Sequence, residues 1–267
     1  MGLEDVVLVR TSNTLKYTDG RVTMLDRRRY PEEEVWQTYL SYEEVASAIE
    51  DMVIQGAGSV AFAACLGLAL AARTFGCLSE PEFVKNVRLA ADRLKSTRPT
   101  GEYLAPLVDR MVAVAVKARG EGVDPAQTIV RETERLMEED DRLTRRCGEF
   151  AAGLINDGDG ILTHCYPGGA LIYMLEEARK RGKDVKVYCS ETRPYLQGAR
   201  LTASSVSKLG VETKIITDNM GALLMWQGRV HKLVTACDRI TMDGHIANKV
   251  GTYQYAICAG YHRIPFI

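Results

Sequence analysis

The chain has 267 residues, 46% hydrophobic and 26% charged, with a formal charge of -1. That length exceeds the usual single-core size of ~100 to 200 residues and predicts two domains, while the composition excludes a disordered or fibrous chain. The near-zero charge, with no Lys/Arg stripe interleaved with aromatics, offers no field to a phosphate backbone and sets nucleic acid aside as a direct partner.

The N-terminus carries Glu4 and Asp5 where a targeting segment would be basic and then apolar, so the expected compartment is the cytoplasm. A short extended N-terminus precedes a helix at 43–53, where Val45, Ala48, Ile49, Met52 and Val53 fall at helical spacing. The longest apolar run, 56–72, is shorter than the ~20 residues of a membrane span and rich in alanine, which predicts a tightly packed interior helix and no membrane contact. Helices follow at 81–94 and 102–118. Asp124-Pro125-Ala126-Gln127 supplies an N-cap, a proline at the first helical position and a capping-box Gln for a long helix, which Asn156-Asp157-Gly158 stops. Its acidic run at 138–141 reads as a solvated face. After Gly160 the rhythm changes to short apolar runs at 161–166, 185–189, 213–217, 232–237 and 264–267, separated by helical stretches. This is the pattern of parallel strands with crossover helices. The expected fold is therefore α/β: a helical N-terminal domain at 1–124, a connecting helix at 125–157, and a Rossmann-like parallel-sheet domain at 158–267.

Open sheets of this kind bind ligands outside the C-terminal ends of their strands. Cys165 ends the first strand, Glu191-Thr192-Arg193 follow the second, Asp218-Asn219 the third, and Asp238-Arg239 the fourth. Cys165 precedes a glycine turn and a helix whose N-terminal amides favour a thiolate. His164 faces the opposite side of the strand and reads as a packed core histidine. Asp218 sits where a helix N-cap is expected, and capping accounts for it. Gly56-Ala57-Gly58 and Gly168-Gly169 present backbone amides suited to a phosphate, although neither forms a Walker loop or a G-x-G-x-x-G fingerprint. The seven cysteines form no C-x-x-C and read as reduced thiols, and the four histidines share no ligand spacing, so neither a metal nor another cofactor is expected.

Taken together, LDRRRYPEEEVW from Leu25, GAGSVAFAACLGLALAAR from Gly56, STRPT from Ser96, ILTHC from Ile161, ETRPYLQGARLT from Glu191, ITDNM from Ile216, ACDRI from Ala236 and GHIANKVGTY from Gly244 resemble the methylthioribose-1-phosphate isomerase family. That family belongs to a superfamily with ribose-1,5-bisphosphate isomerases and the regulatory subunits of a translation initiation exchange factor. The resemblance runs nearly end to end and implies a homodimeric aldose-ketose isomerase of methionine salvage. It assigns Cys165 and Asp238 the catalytic positions, and places Gln55, Gly56, Ala57, Arg98, Gln197, Asn248 and Lys249 around the sugar phosphate. In an aldose 1-phosphate the anomeric oxygen is esterified, so simple ring opening yields no free aldehyde. A protonated Asp238 donating to the ring oxygen, with Cys165 moving a proton from C2 to C1, would give the ketose 1-phosphate; a hydride shift is the alternative. That role requires Asp238 to be buried in apolar surroundings.

Three features depart from the family pattern. Gln55 and Gly58 replace the Arg and Pro of its RGAP segment, Tyr166-Pro167 replaces the usual Asn-Ala, and the stretch from Cys165 to Glu191 is short. Gln offers phosphate neutral hydrogen bonds where Arg offers a charged fork, which leaves Arg98 and Lys249 to carry the electrostatic load. The substrate is expected to be 5-methylthioribose 1-phosphate or a close 5-deoxypentose analogue. Ribose-1,5-bisphosphate isomerisation and a non-catalytic, sugar-phosphate-binding regulatory subunit are the alternatives, and a nucleotide-dependent dehydrogenase ranks last. The resemblance also implies further sheet and helix beyond Ile267, so either that tail is absent or the second domain is incomplete at its C-terminal end.

Overall fold

The computed structural model describes residues 2–99 and 103–267; the expected start of one helix at Glu102 lies outside them. The chain divides into two compact units, one spanning Thr11–Asp140 and the other Asp141–Ile267 together with the residues up to Arg10. The N-terminal segment joins the second unit because Val6 and Val9 are buried in its apolar core.

The first unit opens with a feature absent from the sequence reading, an antiparallel sheet of β1 (Leu15–Thr18), β2 (Arg21–Leu25) and β3 (Trp36–Tyr39). Asp19 and Gly20 both take positive φ, 51° and 75°, as a tight two-residue hairpin turn requires. Asp-Gly was the legible signal for this hairpin. The helices are α1 (Tyr42–Glu50), α2 (Ala57–Thr74), α3 (Glu80–Ser96), α4 (Leu104–Gly120) and the start of α5 (Pro125–Ala151). Ser41 caps α1, its hydroxyl accepting from the Glu44 amide while the Glu44 carboxylate accepts from the Ser41 amide. Asp124 caps α5 as expected, accepting from the amides of Ala126 and Gln127. Helix α2 has the length and composition of a membrane span but is enclosed by α1, α3 and α4. Its small residues permit that enclosure: a Cβ on Gly67 would stand 2.9 Å from a Val45 methyl.

In the second unit β4 (Gly160–Thr163), β5 (Lys186–Ser190), β6 (Glu212–Ile216) and β7 (Lys232–Val234) form a parallel sheet in the order β6-β5-β4-β7. Helices α6 (Gly169–Lys180), α7 (Ala203–Lys208), α8 (Gly221–Trp226) and α9 (Thr252–Tyr261) connect and cover it. Alternation along the strands separates two cores: Ile161, Val187 and Cys189 pack with α6 and α7, whereas Leu162 and Tyr188 pack with α8 and α9. The mixed α/β fold with a parallel sheet therefore stands as read from the sequence. Differences lie in the details. The expected strand at 264–267 is only a bridge between Phe266 and Leu233, β7 stops three residues early, and a small hairpin of β8 (Arg239–Ile240) and β9 (Ile246–Ala247) was not anticipated.

Gly160 starts the central strand where a Cβ would stand 1.9 Å from the Arg229 carbonyl oxygen, a backbone atom that cannot rotate aside. Gly160→Ala is expected to lower unfolding stability by about 1–3 kcal/mol in urea titration, as overpacking of an interior does. Gly120→Ala, at the open end of α4 with nothing within 4 Å, is expected to change it by less than ~0.5 kcal/mol.

Candidate active site

The strand order places one reversal in the sheet. From β4 the chain moves outward to β5 and β6, then returns to add β7 on the other side of β4. At such a reversal the connections leave the sheet in opposite directions and open a crevice beyond the strand ends. Cys165 follows β4 and Asp238 follows β7, so the two residues stand beyond adjacent strands on either side of this reversal.

Cys165 occupies the left-handed region at φ 61°, unusual for a residue with a side chain. Its amide donates to Thr192 Oγ1 at 2.9 Å, and its carbonyl accepts from Thr202 Oγ1 at 2.5 Å. The following turn reaches Gly168 at φ 75°, the N-cap of α6. Burial pushes the Cys165 thiol up; the Lys249 ammonium and a hydrogen bond from the Tyr166 amide pull it down, and the Asp238 charge adds to the upward push. Upward causes win, so the thiol is the resting form. The thiolate expected from the helix N-terminus is therefore not the resting state, because desolvation outweighs the amides.

Asp238 differs from its expectation. Because β7 ends at Val234, residues 235–238 have left the sheet, and the carboxylate lies exposed at the base of the β8–β9 hairpin, its amide donating to the Ala247 carbonyl. Among the described residues, none forms the apolar enclosure invoked to keep it protonated. Lys249 is half-buried, with its charge acting on both Cys165 and His164, and Asn248 beside it donates to Thr252 Oγ1 at 3.1 Å. His164 is buried: Nδ1 lies 2.7 Å from Ser190 Oγ, Nε2 lies 2.8 Å from the Val250 carbonyl, and the ring meets Tyr255 edge-on. Burial pushes its pKa down, and the core role read from the sequence holds. Gln197 is buried at the start of a π-helical segment, Gly198–Thr202, and its Oε1 has no hydrogen-bond partner among the described residues.

Asp218 caps no helix, since α8 begins with Met220 as its N-cap. Its carboxylate instead accepts from Ser190 Oγ, the Thr192 amide and the Arg193 amide at 2.7–2.8 Å. Burial pushes this carboxyl up, but those three donors outweigh it and hold the group below its usual range. Sequence reasoning placed Thr192 at a strand end without a role, assigned Asp218 to capping, and did not single out Thr202.

The remaining substrate candidates belong to the first unit and gather at one turn. Gln55 is buried and donates through Nε2 to the Met52 carbonyl, while Arg98 donates to the Ile49 carbonyl and contacts Met52 Sδ. Gly56, at φ 94°, is the N-cap of α2, and Ala57 begins it, both exposed. A residue not anticipated stands beside them. Arg27 is buried, and its guanidinium donates to the Gln55 carbonyl, Thr14 Oγ1 and Ser59 Oγ. Position 55 is neutral, yet a guanidinium adjoins it. Among the described residues no group of three or more His, Cys, Asp or Glu side chains is arranged to hold a metal ion.

A thiol and a carboxylate beyond neighbouring parallel strands, with a lysine acting on the thiol, make the strand-order reversal of this α/β protein its candidate small-molecule site. Residues 53–267 match the Initiation factor 2 subunit family, and the chain belongs to that family. It is 38% identical over 261 residues to the methylthioribose-1-phosphate isomerase of Geobacter metallireducens, covering 95% of this chain and 75% of that protein. Two crystal structures are also similar. The 5-methylthioribose 1-phosphate isomerase of Pyrococcus horikoshii OT3 shares 31% identity with a TM-score of 0.82, over 100% of this chain and 76% of that one. The delta subunit of translation initiation factor eIF-2B from A. fulgidus shares 34% identity with a TM-score of 0.80, over 95% and 76%.

The charges acting on Cys165 fix a sign for its reactivity. Alkylation of Cys165 by iodoacetamide, followed by peptide mass spectrometry to separate it from exposed Cys77 and Cys147, is expected to be slow at neutral pH and to rise only above the ordinary thiol range. Lys249→Met removes a charge that favours the thiolate and is expected to move that rise to higher pH. A rise at lower pH in the variant would contradict this account.

Proposed function

We propose that the chain is an aldose-1-phosphate isomerase that converts 5-methylthioribose 1-phosphate, or a close 5-deoxypentose analogue, to the ketose 1-phosphate, with Cys165 and Asp238 as its acid/base pair. The observation that carries this reading is the placement of those two residues beyond β4 and β7 at the reversal of strand order. The names of the most similar relatives support it.

The reaction breaks the bond between C1 and the ring oxygen, moves a hydrogen from C2 to C1 and turns the C2 hydroxyl into a carbonyl. The resting thiol and the exposed carboxylate reverse the roles drawn from sequence. Cys165 protonates the departing ring oxygen as the Asp238 carboxylate takes the proton from C2, leaving an enol phosphate. Asp238 then returns its proton to C1, and the Cys165 thiolate takes the proton of the C2 hydroxyl. Both groups end as they began. Lys249 steadies the transient thiolate, because its positive charge already favours that form. Lys249, Gln197 and Asn248 hold the sugar phosphate; at the turn of the first unit, the Arg27 guanidinium adjoins neutral Gln55.

The similarity to the eIF-2B delta subunit favours a second reading, a sugar-phosphate-binding regulatory subunit without turnover. Phosphorus NMR of a panel of aldose 1-phosphates, ribose-1,5-bisphosphate included, separates the readings. Cys165→Ala and Asp238→Asn are each expected to reduce turnover by about 100-fold or more with the fold intact, the usual range for general acid/base groups. Binding without conversion by the unaltered protein would favour the regulatory reading.

The reading includes assembly as a homodimer. In its support, Tyr253, Ile257 and Tyr261 recur at helical spacing on the exposed side of α9, with exposed Val250 just before it. Light scattering at micromolar concentration is expected to give twice the chain mass, and a monomer there would remove the dimer from the proposal.

A further inference from the structure

Two consecutive strand ends carry residues in backbone conformations that side chains disfavour. Cys165 has φ 61° and Thr192 φ 62°, the latter β-branched and so the less tolerant of the two. Conformations of this kind persist only where surrounding bonds hold them, and here those bonds form one chain. The Asp218 carboxylate accepts the Thr192 amide at 2.8 Å, the Arg193 amide at 2.8 Å and Ser190 Oγ at 2.7 Å. That pins the Thr192 turn. The Thr192 hydroxyl then donates to the Ser190 carbonyl at 3.2 Å and accepts the Cys165 amide at 2.9 Å. Gly198 closes the turn from behind, where a Cβ would stand 1.8 Å from the Ser190 carbonyl oxygen and 2.9 Å from Thr192 Oγ1.

We propose that Thr192 and Asp218 are positioning residues: Asp218 fixes the Thr192 turn, and the Thr192 hydroxyl holds the Cys165 backbone so that the thiol points into the site. The assignment of a reaction to Cys165 rests on the isomerase reading; the control of its thiol by Thr192 does not. Thr202, which donates to the Cys165 carbonyl, is the second clamp on the same residue. The groups whose charge reaches the thiol are Lys249 and Asp238, and neither is altered in the test.

Thr192→Val keeps the shape and removes the acceptor, whereas Thr192→Ser keeps the acceptor. Freed from its clamp, Cys165 relaxes toward solvent and loses burial. In Thr192→Val, alkylation of Cys165 at neutral pH is expected to be ~3- to 10-fold faster, since one unit of thiol pKa is tenfold in thiolate. Turnover is expected to fall about tenfold or more with little change in KM, as misplacement of a reacting group does. Thr192→Ser is expected to restore both. Should Thr192→Val fail to fold, Asp218→Asn is read in the same way, because it preserves shape while one of the two oxygens that accept from Ser190, Thr192 and Arg193 becomes a donor. A folded variant with the unaltered alkylation profile, or a Thr192→Ser protein that behaves like Thr192→Val, overturns the proposal. If the unaltered protein isomerises none of the panel, the isomerase reading falls, and the alkylation comparison still decides the role of Thr192.

Discussion

Parallel pairing of β4 with β5 on one side and β7 on the other is the constraint on which the second unit depends. Backbone hydrogen bonds fix the register, and the register fixes which residues emerge beyond the strand ends. Cys165, Thr192, Asp218 and Asp238 lie far apart in the chain and follow β4, β5, β6 and β7 in turn. No helix position or loop sequence alone would gather them. Because β7 returns to the far side of β4, Cys165 and Asp238 straddle the one reversal, while Thr192 and Asp218 follow strands on the other flank of β4. The proposed division between reacting and positioning residues follows the strand order.

Electrostatics at Cys165 are a contest that burial wins. Desolvation penalises the thiolate and Asp238 adds to the penalty; Lys249 and the Tyr166 amide oppose both. Solvent access separates the two residues: Cys165 is largely enclosed, whereas Asp238 is exposed because β7 stops at Val234.

Much of this architecture was legible in the sequence. The change of rhythm after Gly160 gave the parallel strands, Asp124-Pro125 marked the start of α5, and the ends of the four apolar runs named residues of the candidate site. Alternation placed His164 in the core, where it is. The N-terminal sheet was missed because its strands have four or five residues, too short for a period to outweigh the helical patterns that follow, although Asp19-Gly20 marked its turn. Asp218 was misread because a strand-end Asp before a helix is equally placed to cap that helix or to bind the neighbouring loop. Only the lateral position of β5 beside β6 separates those roles, and spacing along the chain does not contain it. The exposure of Asp238 was hidden for a similar reason: apolar Val234, Ala236 and the adjoining Cys237 continue the appearance of a strand after the pairing has ended.

Helix α2 is enclosed mainly by elements that follow it in the chain. Its partners α3 and α4 are complete only at Ser96 and Gly120, whereas α2 ends at Thr74. At synthesis rates of about 5–20 residues per second, this apolar helix leaves the ribosome roughly 2–9 s before its last cover exists. Throughout that interval it presents to the cell what a nascent membrane anchor presents. Expression of this protein should therefore depend on holdase chaperones the more, the more slowly the stretch between Thr74 and Gly120 is translated, and codon choice there becomes a determinant of yield that leaves the finished fold unchanged.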